Sequence, residues 1–206
     1  MADDHYIVRN GLKQIILSEY NDAIFGEAEN AAAVLKHLRH DNWDLLILDM
    51  EMPGRNGLDV LKQIKEEKNA TPTLIFSMHA EAEIAIRALR SGAAGYLNKQ
   101  TVDTDLCSAI RLILSGRKYI SPQVAELLAS EVENPTNKPP HQLLSDREYQ
   151  TLLLIASGKT ISAVADELSL SVTTVSTYRA RILEKMNMRT NAELTNYVLK
   201  NDLIQL

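Results

Sequence analysis

A single cysteine, Cys107, stands in a chain of 206 residues. That excludes an intrachain disulfide and any metal centre built on several thiolates, and a lone thiol of this kind reads as a core side chain. Glycine and proline are scarce too, at 8 and 6, which excludes collagen-like and low-complexity chains. No apolar run approaches the roughly 20 residues of a membrane helix. The opening Met-Ala-Asp-Asp-His has no signal-peptide pattern, so the expectation is a cytoplasmic protein without a membrane partner. What remains is 45% hydrophobic and 24% charged, the balance of a folded chain of one large domain or two ordinary ones.

The formal charge of −5 is unevenly placed. Residues 1–115 hold 12 Lys+Arg against 17 Asp+Glu, and residues 145–206 hold 7 of each. An acidic N-terminal part joined to a neutral C-terminal third suggests two modules with different partners. Between them, residues 133–141 carry three of the six prolines and no apolar periodicity, as a linker would.

Upstream of the linker, helical and strand patterns alternate. Val8, Leu12, Ile15 and Ile16 share one helix face. Residues 23–28 read as a short strand and 31–38 as a helix. The apolar run 44–49 has the length of a strand buried on both faces. Helix 57–67, strand 73–77, helix 81–91, strand 94–98 and a helix through Leu106, Ile110, Ile113 and Leu114 follow. This order predicts a doubly wound α/β domain. A further helix near 122–130 leads into the linker. Beyond it the strands stop. Helices through Tyr149–Ala156, Ile161–Leu168, Val175–Met186 and Leu194–Val198 remain, with Gly158 placed to end the first and Ser171 to cap the third. Two short helices joined by a tight turn and flanked by supports suit a helix-turn-helix.

In a doubly wound sheet, functional groups gather at the carboxyl ends of the strands. Asp49, Ser77 and Lys99 fall there, and Asp3 and Asp4 stand where an initial strand would end. Singly, each has an ordinary explanation: an acid pair favoured by a helix dipole, a turn aspartate, a surface lysine. Jointly they do not. Clustered carboxylates resist ionisation unless a cation joins them, and hard oxygen ligands suit Mg²⁺. A lysine and a hydroxyl beside them suit a phosphoryl group.

Asp3-Asp4-His5, Leu48-Asp49-Met-Glu-Met-Pro-Gly54, Ser77 and Gly95-Tyr-Leu-Asn-Lys99 resemble the receiver domain of two-component response regulators. Leu144-Ser-Asp-Arg-Glu148, Ser171-Val-Thr-Thr-Val-Ser-Thr-Tyr-Arg179 and Ile182-Leu-Glu-Lys-Met186 resemble the LuxR-type helix-turn-helix. Together they are similar to the NarL/FixJ class. The resemblance implies a flavodoxin-like receiver over 1–116, a linker over 117–143 and an all-α DNA-binding domain over 144–206. It implies that Asp49 accepts phosphate from a sensor histidine kinase, with Mg²⁺ held by Asp4 and Asp49, by Asp3 through water and by the Glu51 carbonyl. Lys99 would pair with the phosphoryl oxygens, Ser77 would hydrogen-bond them, and Tyr96 would follow by changing rotamer. Glu51 and His79 would tune dephosphorylation. The chain would be no enzyme beyond promoting its own phosphoryl transfer and dephosphorylation. It would act on promoter DNA as a homodimer when phosphorylated, with RNA polymerase as a further partner.

Two departures stand out. Gln100 occupies a position where many receivers carry proline. More seriously, the first strand is missing, because only Met1 and Ala2 precede the acids. Losing three buried aliphatic side chains costs about 5–9 kcal/mol and would leave neighbouring backbone groups unpaired. The expectation is therefore a late start or truncation, with a weakened acid pocket.

In the C-terminal module, Arg179, Arg181, Lys185 and Arg189 give the third helix a phosphate-binding footprint. Val175, Ile182 and Met186 set its buried side, so Thr173, Ser176, Thr177 and Ala180 would meet base edges. Thr173 and Thr174 at its start could bind a phosphate through backbone N–H groups. Two competing readings are a haloacid-dehalogenase-type phosphatase, which would need Asp where Glu51 stands, and a phosphorylation-independent DNA-binding regulator with a degenerate receiver. A nucleotide-binding Rossmann protein lacks its glycine signature here.

Overall fold

The computed structural model describes residues 1–52, 55–78, 82–133 and 139–204. Pro53, Gly54, His79 and linker residues 134–138 lie outside them. The chain divides into two compact units, Met1–Leu127 and Leu128–Leu206.

In the first unit three short strands, β1 (Leu46–Asp49), β2 (Thr73–Ser77) and β3 (Gly95–Asn98), form a parallel sheet in that order. Every residue of β1 and β2 is buried, as a sheet covered on both faces requires. Helices α1 (Tyr6–Glu19) and α5 (Val102–Leu114) send Leu12, Ile16, Leu106, Ile110 and Ile113 against Ile47, Leu74, Phe76 and Leu97 in one cluster. The alternate strand residues Leu48, Ile75 and Tyr96, also buried, face the other way. α2 (Ala31–His40), α3 (Gly57–Glu66) and α4 (Ala82–Ser91) pack in succession, and α4 lies against β3. Parallel register sets Asp49 beside Phe76 and Ser77 beside Asn98, so all three strands end at one edge.

Two expectations change. Residues 23–28 are not a strand; within them only Ala28 makes a bridge. A strand needs a ladder, and the partner here is the three-residue stretch Met1–Asp3. Among the described residues the first strand is absent from the three-stranded sheet as expected, but that stretch pairs with the neighbours it was expected to leave open. Ala2 bridges both Ala28 and Leu48 in parallel, donating to the Ile47 carbonyl at 2.8 Å and accepting from the Asp49 N–H at 2.8 Å. The Ala28 N–H is met by the Met1 carbonyl at 3.0 Å. The Asp49 and Ala28 amides are thus paired, contrary to the expectation of orphaned neighbours.

After α5, the Tyr119 N–H bonds the Ala94 carbonyl at 2.9 Å and covers the outer edge of β3. A Cβ at Gly95 would sit 2.9 Å from that of Tyr119, so the close approach needs glycine. α6 (Pro122–Glu133) follows.

The second unit is helical: α7 (Asp146–Ala156), α8 (Ile161–Glu167), α9 (Val172–Lys185) and α10 (Asn191–Lys200). Ser145 and Glu148 close a capping box on α7, and Gly158 ends it at φ 88°. Ile155, Val164, Ala165 and Val175 form the core between α7, α8 and α9, each large aliphatic contributing about 1.5–3 kcal/mol. Ser171 caps α9 by accepting from the Thr174 N–H. Ahead of α7, a 3₁₀ turn (Pro140–Leu143) buries His141, whose Nδ1 lies 2.8 Å from the Tyr197 hydroxyl of α10.

Candidate functional site: an acid pocket and a groove-reading helix

The carboxyl edge of the sheet gathers the acids. Asp49, 2% exposed, ends β1, and Lys99 directly follows β3. The Lys99 ammonium lies 2.7 Å from Asp3 Oδ2 and 3.0 Å from Asp49 Oδ1, so one cation serves two buried carboxylates. It also sits 5.3 Å from the centre of the Phe76 ring, the residue in register with Asp49. Burial pushes the Asp49 carboxyl up to about 6; Lys99 opposes the rise and Asp3 adds to it. Burial alone would lower Lys99, but its bonds to Asp3 and Asp49 hold it above the usual lysine value.

Around this pair the backbone is closely fitted. The Gly57 N–H bonds the Met50 carbonyl at 2.9 Å, and a Cβ at Gly57 would fall 2.6 Å from the Asp49 carbonyl oxygen. The start of α3 can therefore approach the β1 end only with glycine at this position. Asn56 caps α3 through the Leu58 N–H at 2.8 Å. After β3, the Gln100 N–H, which a proline would lack, bonds Asn98 Oδ1 at 2.7 Å and tightens the 3₁₀ turn Lys99–Thr101. Ser77 is fully buried at the end of β2, and Tyr96 is buried within β3.

Asp3, Asp4 and His5 bring one ligand atom each within 4.8 Å of one another. The His5 N–H bonds Asp3 Oδ1 at 2.8 Å. Asp4 Oδ1 has only a 2.9 Å contact with His5 Nδ1 and no hydrogen bond in proper geometry, although the atom itself is buried. A buried carboxylate oxygen so placed calls for a cation. The carboxylates of Asp3 and Asp4, set beside the end of β1, are hard oxygen donors of the kind that suit Mg²⁺, and they fit it once His5 is left out of the donor set. Of the four sequence candidates, Asp3 and Asp4 come together, Asp49 joins them through Lys99, and Glu51 lies at the edge, bridged to Asn56.

In the second unit, Val175 and Ile182 of α9 are buried, with Met186 just beyond. Thr173, Ser176, Thr177, Ala180 and Arg181 are exposed along one stripe. The Thr177 hydroxyl bonds the Thr173 carbonyl at 2.9 Å. The Thr174 N–H is committed to Ser171 Oγ at 3.1 Å, so of the two backbone donors expected at this end, Thr174's is already in use. Arg179 Nε bonds Asn191 Oδ1 of α10 at 2.6 Å. The Lys185 ammonium lies 2.6 Å from Glu148 Oε2, and Glu148 is buried. Burial works against that carboxylate, but the bonds from Lys185 and Ser145 hold it below the usual glutamate range.

Two protein-family profiles match the chain. "Response regulator receiver domain" matches residues 1–111 and "Bacterial regulatory proteins, luxR family" residues 142–198. The chain is a NarL/FixJ-type response regulator. That class comprises DNA-binding transcriptional regulators of two-component systems. The response regulator is 32% identical to UvrY of Escherichia coli K12, covering 98% of this chain and 94% of that protein. It is 34% identical to the oxygen regulatory protein NreC of Staphylococcus carnosus, covering 99% and 97%. Among solved structures, Salmonella enterica serovar Typhimurium RcsB bound to promoter rprA with phosphomimetic BeF₃⁻ superposes with a TM-score of 0.66 at 26% identity, covering 95% of each chain. Membership in this family sets aside the phosphatase alternative. No helix among the described residues of the response regulator is long and apolar enough to cross a membrane.

Sequence reasoning missed two groups. Arg9 sits on the buried face of α1 with Leu12 and Ile16, and a charge on an apolar face was the available signal. Val172 opens α9 half-exposed; its position one residue past the cap masked it as an ordinary first-turn residue.

Proposed function

We propose that Asp49 is the phosphoacceptor through which a sensor histidine kinase controls promoter binding by this cytoplasmic response regulator. The observation that carries the reading is the buried Asp49 carboxylate at the sheet's carboxyl edge, 3.0 Å from a lysine that also holds Asp3. An Asp49 oxygen attacks the phosphorus of the kinase phosphohistidine. The O–P bond forms as the P–N bond breaks, and the imidazole leaves with a proton. Water later attacks the phosphorus of the acyl phosphate, the O–P bond to Asp49 breaks, inorganic phosphate leaves and the carboxylate is restored, so the receiver promotes its own gain and loss of phosphate. Asp3, Asp4, Asp49 and the Glu51 carbonyl would hold Mg²⁺, which when bound offsets charge on the phosphoryl oxygens. Lys99 holds one of those oxygens, Ser77 reaches another, and Tyr96 follows Ser77 to alter the surface beside α4.

The exposed stripe of α9 supports major-groove reading by Thr173, Ser176, Thr177 and Ala180, with Val172 offering an apolar contact to a thymine methyl. Arg181 supplies a phosphate contact, with Arg179 and Lys185 behind it. We place the receiver at 1–116 and the DNA-binding domain at 144–206, with the 140–143 turn as its packed extension. The phosphorylated form acts as a homodimer on paired half-sites.

The test is mobility in phosphate-binding gels after incubation with acetyl phosphate and Mg²⁺. The full chain shifts and Asp49→Asn does not. A shift that survives Asp49→Asn, or none in the native chain, contradicts the reading; the latter is what a phosphorylation-independent regulator would give.

A further inference from the structure

Arg9 is 4% exposed, yet it lies on the same face of α1 as Leu12 and Ile16. An arginine in that setting is tolerated only if its donors are matched, and three of them are, in three directions. Nε donates to Glu27 Oε2 at 2.9 Å, Nη2 to Glu29 Oε1 at 2.9 Å and Nη1 to the Asp3 carbonyl at 2.8 Å. Glu27 is shared with Lys13. The guanidinium therefore fastens α1 to two neighbouring segments, residues 27–29 and Met1–Asp3. The second carries the acids of the pocket.

That second segment is held by the bonds of its two Ala2 bridges, among them the Asp3 N–H to the Ala28 carbonyl at 3.1 Å, and by the Met1 ammonium on the Gly26 carbonyl at 2.7 Å. To these Arg9 adds a bond at the Asp3 carbonyl, next to the acids. The Asp3 carbonyl belongs to the peptide plane shared by Asp3 and Asp4, so holding it restricts rotation about the bonds on either side and with it where the two side chains leave the backbone. The Asp3 carboxylate meets Lys99, and Lys99 meets Asp49, so a rotation at this carbonyl reaches every charged group of the pocket.

We infer that Arg9 is a positioning residue of the phosphoryl-transfer pocket, aiming Asp3 and Asp4 by gripping the Asp3 carbonyl. The inference rests on the acid-pocket reading above and adds to it a residue outside the pocket. It separates two functions of the same side chain: the ion pairs with Glu27 and Glu29, which any structural arginine could make, and the single bond to the Asp3 carbonyl.

The test uses the full chain and Mn²⁺ as the probe, with bound metal followed by electron paramagnetic resonance. Arg9→Gln removes the grip and the ion pairs. Glu27→Gln removes one of the two ion pairs of Arg9, and that of Lys13, while leaving the Asp3 bond, and so reports what the loss of ion pairing alone does. Arg9→Gln is expected to weaken Mn²⁺ binding by about tenfold or more, and Glu27→Gln by less than about twofold, since groups that orient metal ligands typically cost 10–100-fold when removed. Should Arg9→Gln fail to fold by circular dichroism, Arg9→Lys, which keeps the charge and one donor, is expected to fall between the two. Equal Mn²⁺ affinity in the native chain and the Arg9 variant, or an equal loss in the Arg9 and Glu27 variants, overturns the inference. Phosphorylation of the native chain by acetyl phosphate, read in parallel, reports on the underlying pocket. Normal phosphorylation with unchanged metal binding in Arg9→Gln sinks the Arg9 role alone, whereas absence of both Mn²⁺ binding and phosphorylation in the native chain sinks the pocket and Arg9 with it.

Discussion

At Asp49 burial and charge pull in opposite directions. Removing the carboxylate from water favours its neutral form, the Lys99 ammonium favours the anion, and Asp3 again favours the neutral form. Burial wins, and the group titrates near 6, above the 3.9 of an unfolded chain. The folded state therefore binds this proton more tightly, and the stability it contributes is full below about pH 4 and lost as pH rises past about 6. In metal-free buffer, the unfolding free energy of the native chain relative to Asp49→Asn should fall across that window, by at most about 1.4 kcal/mol per pH unit for one proton. Urea titrations at pH 4, 5, 6 and 7 with chelator present measure it; a difference that is flat with pH contradicts the buried, high-pKa Asp49. The acids themselves were legible in the sequence because strand ends are predictable from apolar runs bounded by polar residues. Their mutual geometry was not, since the Asp3–Lys99 contact joins residues 96 apart in the chain. No local pattern encodes such a distance.

The elements were read unevenly, and the reasons are physical. Helices announce themselves by a 3.6-residue period that needs no partner, so α2 and α3 emerge near their observed limits and α1, α5 and α7 to α10 are anticipated from their periodic apolar residues. Strands exist only where another strand completes the ladder. Residues 23–28 have strand-like composition but meet only Met1–Asp3, and one bridge results. Among the described residues the first strand is missing from the three-stranded sheet as its short N-terminal stretch implied, yet the Ala2 carbonyl still pairs the Asp49 amide, something that counting side chains alone does not reveal. The sequence reads Arg179, Arg181, Lys185 and, just past the helix, Arg189 as one basic footprint, whereas the fold divides the three that lie on α9. Lys185 is bonded to buried Glu148 and Arg179 to Asn191, while Arg181 stands on the exposed stripe. The two kinds of lesion should separate. Arg181→Ala leaves the melting of the DNA-binding unit unchanged and lowers the salt slope of DNA binding by about 1. Lys185→Ala leaves Glu148 buried without its cation and destabilises that unit by about 1–3 kcal/mol. Thermal melts beside fluorescence-anisotropy titrations at several salt concentrations check both; an unchanged slope for Arg181→Ala removes it from the phosphate contacts.

Over the whole molecule, the asymmetry of charge seen in composition lies inside the first unit: all of the −5 falls in residues 1–115, within the unit that gathers the carboxylates, and the neutral remainder includes α9. On the proposed reading, each unit supplies half of a switch. The receiver concentrates poorly solvated charge at one sheet edge, so adding a phosphoryl group there changes the local electrostatics by more than it would in water. The helical unit presents small hydroxyl side chains from a fixed core. A phosphoryl group can alter DNA binding only by its differential affinity for two states of the chain. The central claim is that occupancy of DNA depends on Asp49. The direct measurement is affinity capture of genomic DNA fragments by the full chain and by Asp49→Asn, each with and without acetyl phosphate and Mg²⁺. The account predicts that the phosphodonor enriches a discrete set of fragments for the native chain by about tenfold or more, a coupling of roughly 1.4 kcal/mol, and leaves Asp49→Asn unchanged. Equal enrichment of the same fragments by both proteins under both conditions would contradict it.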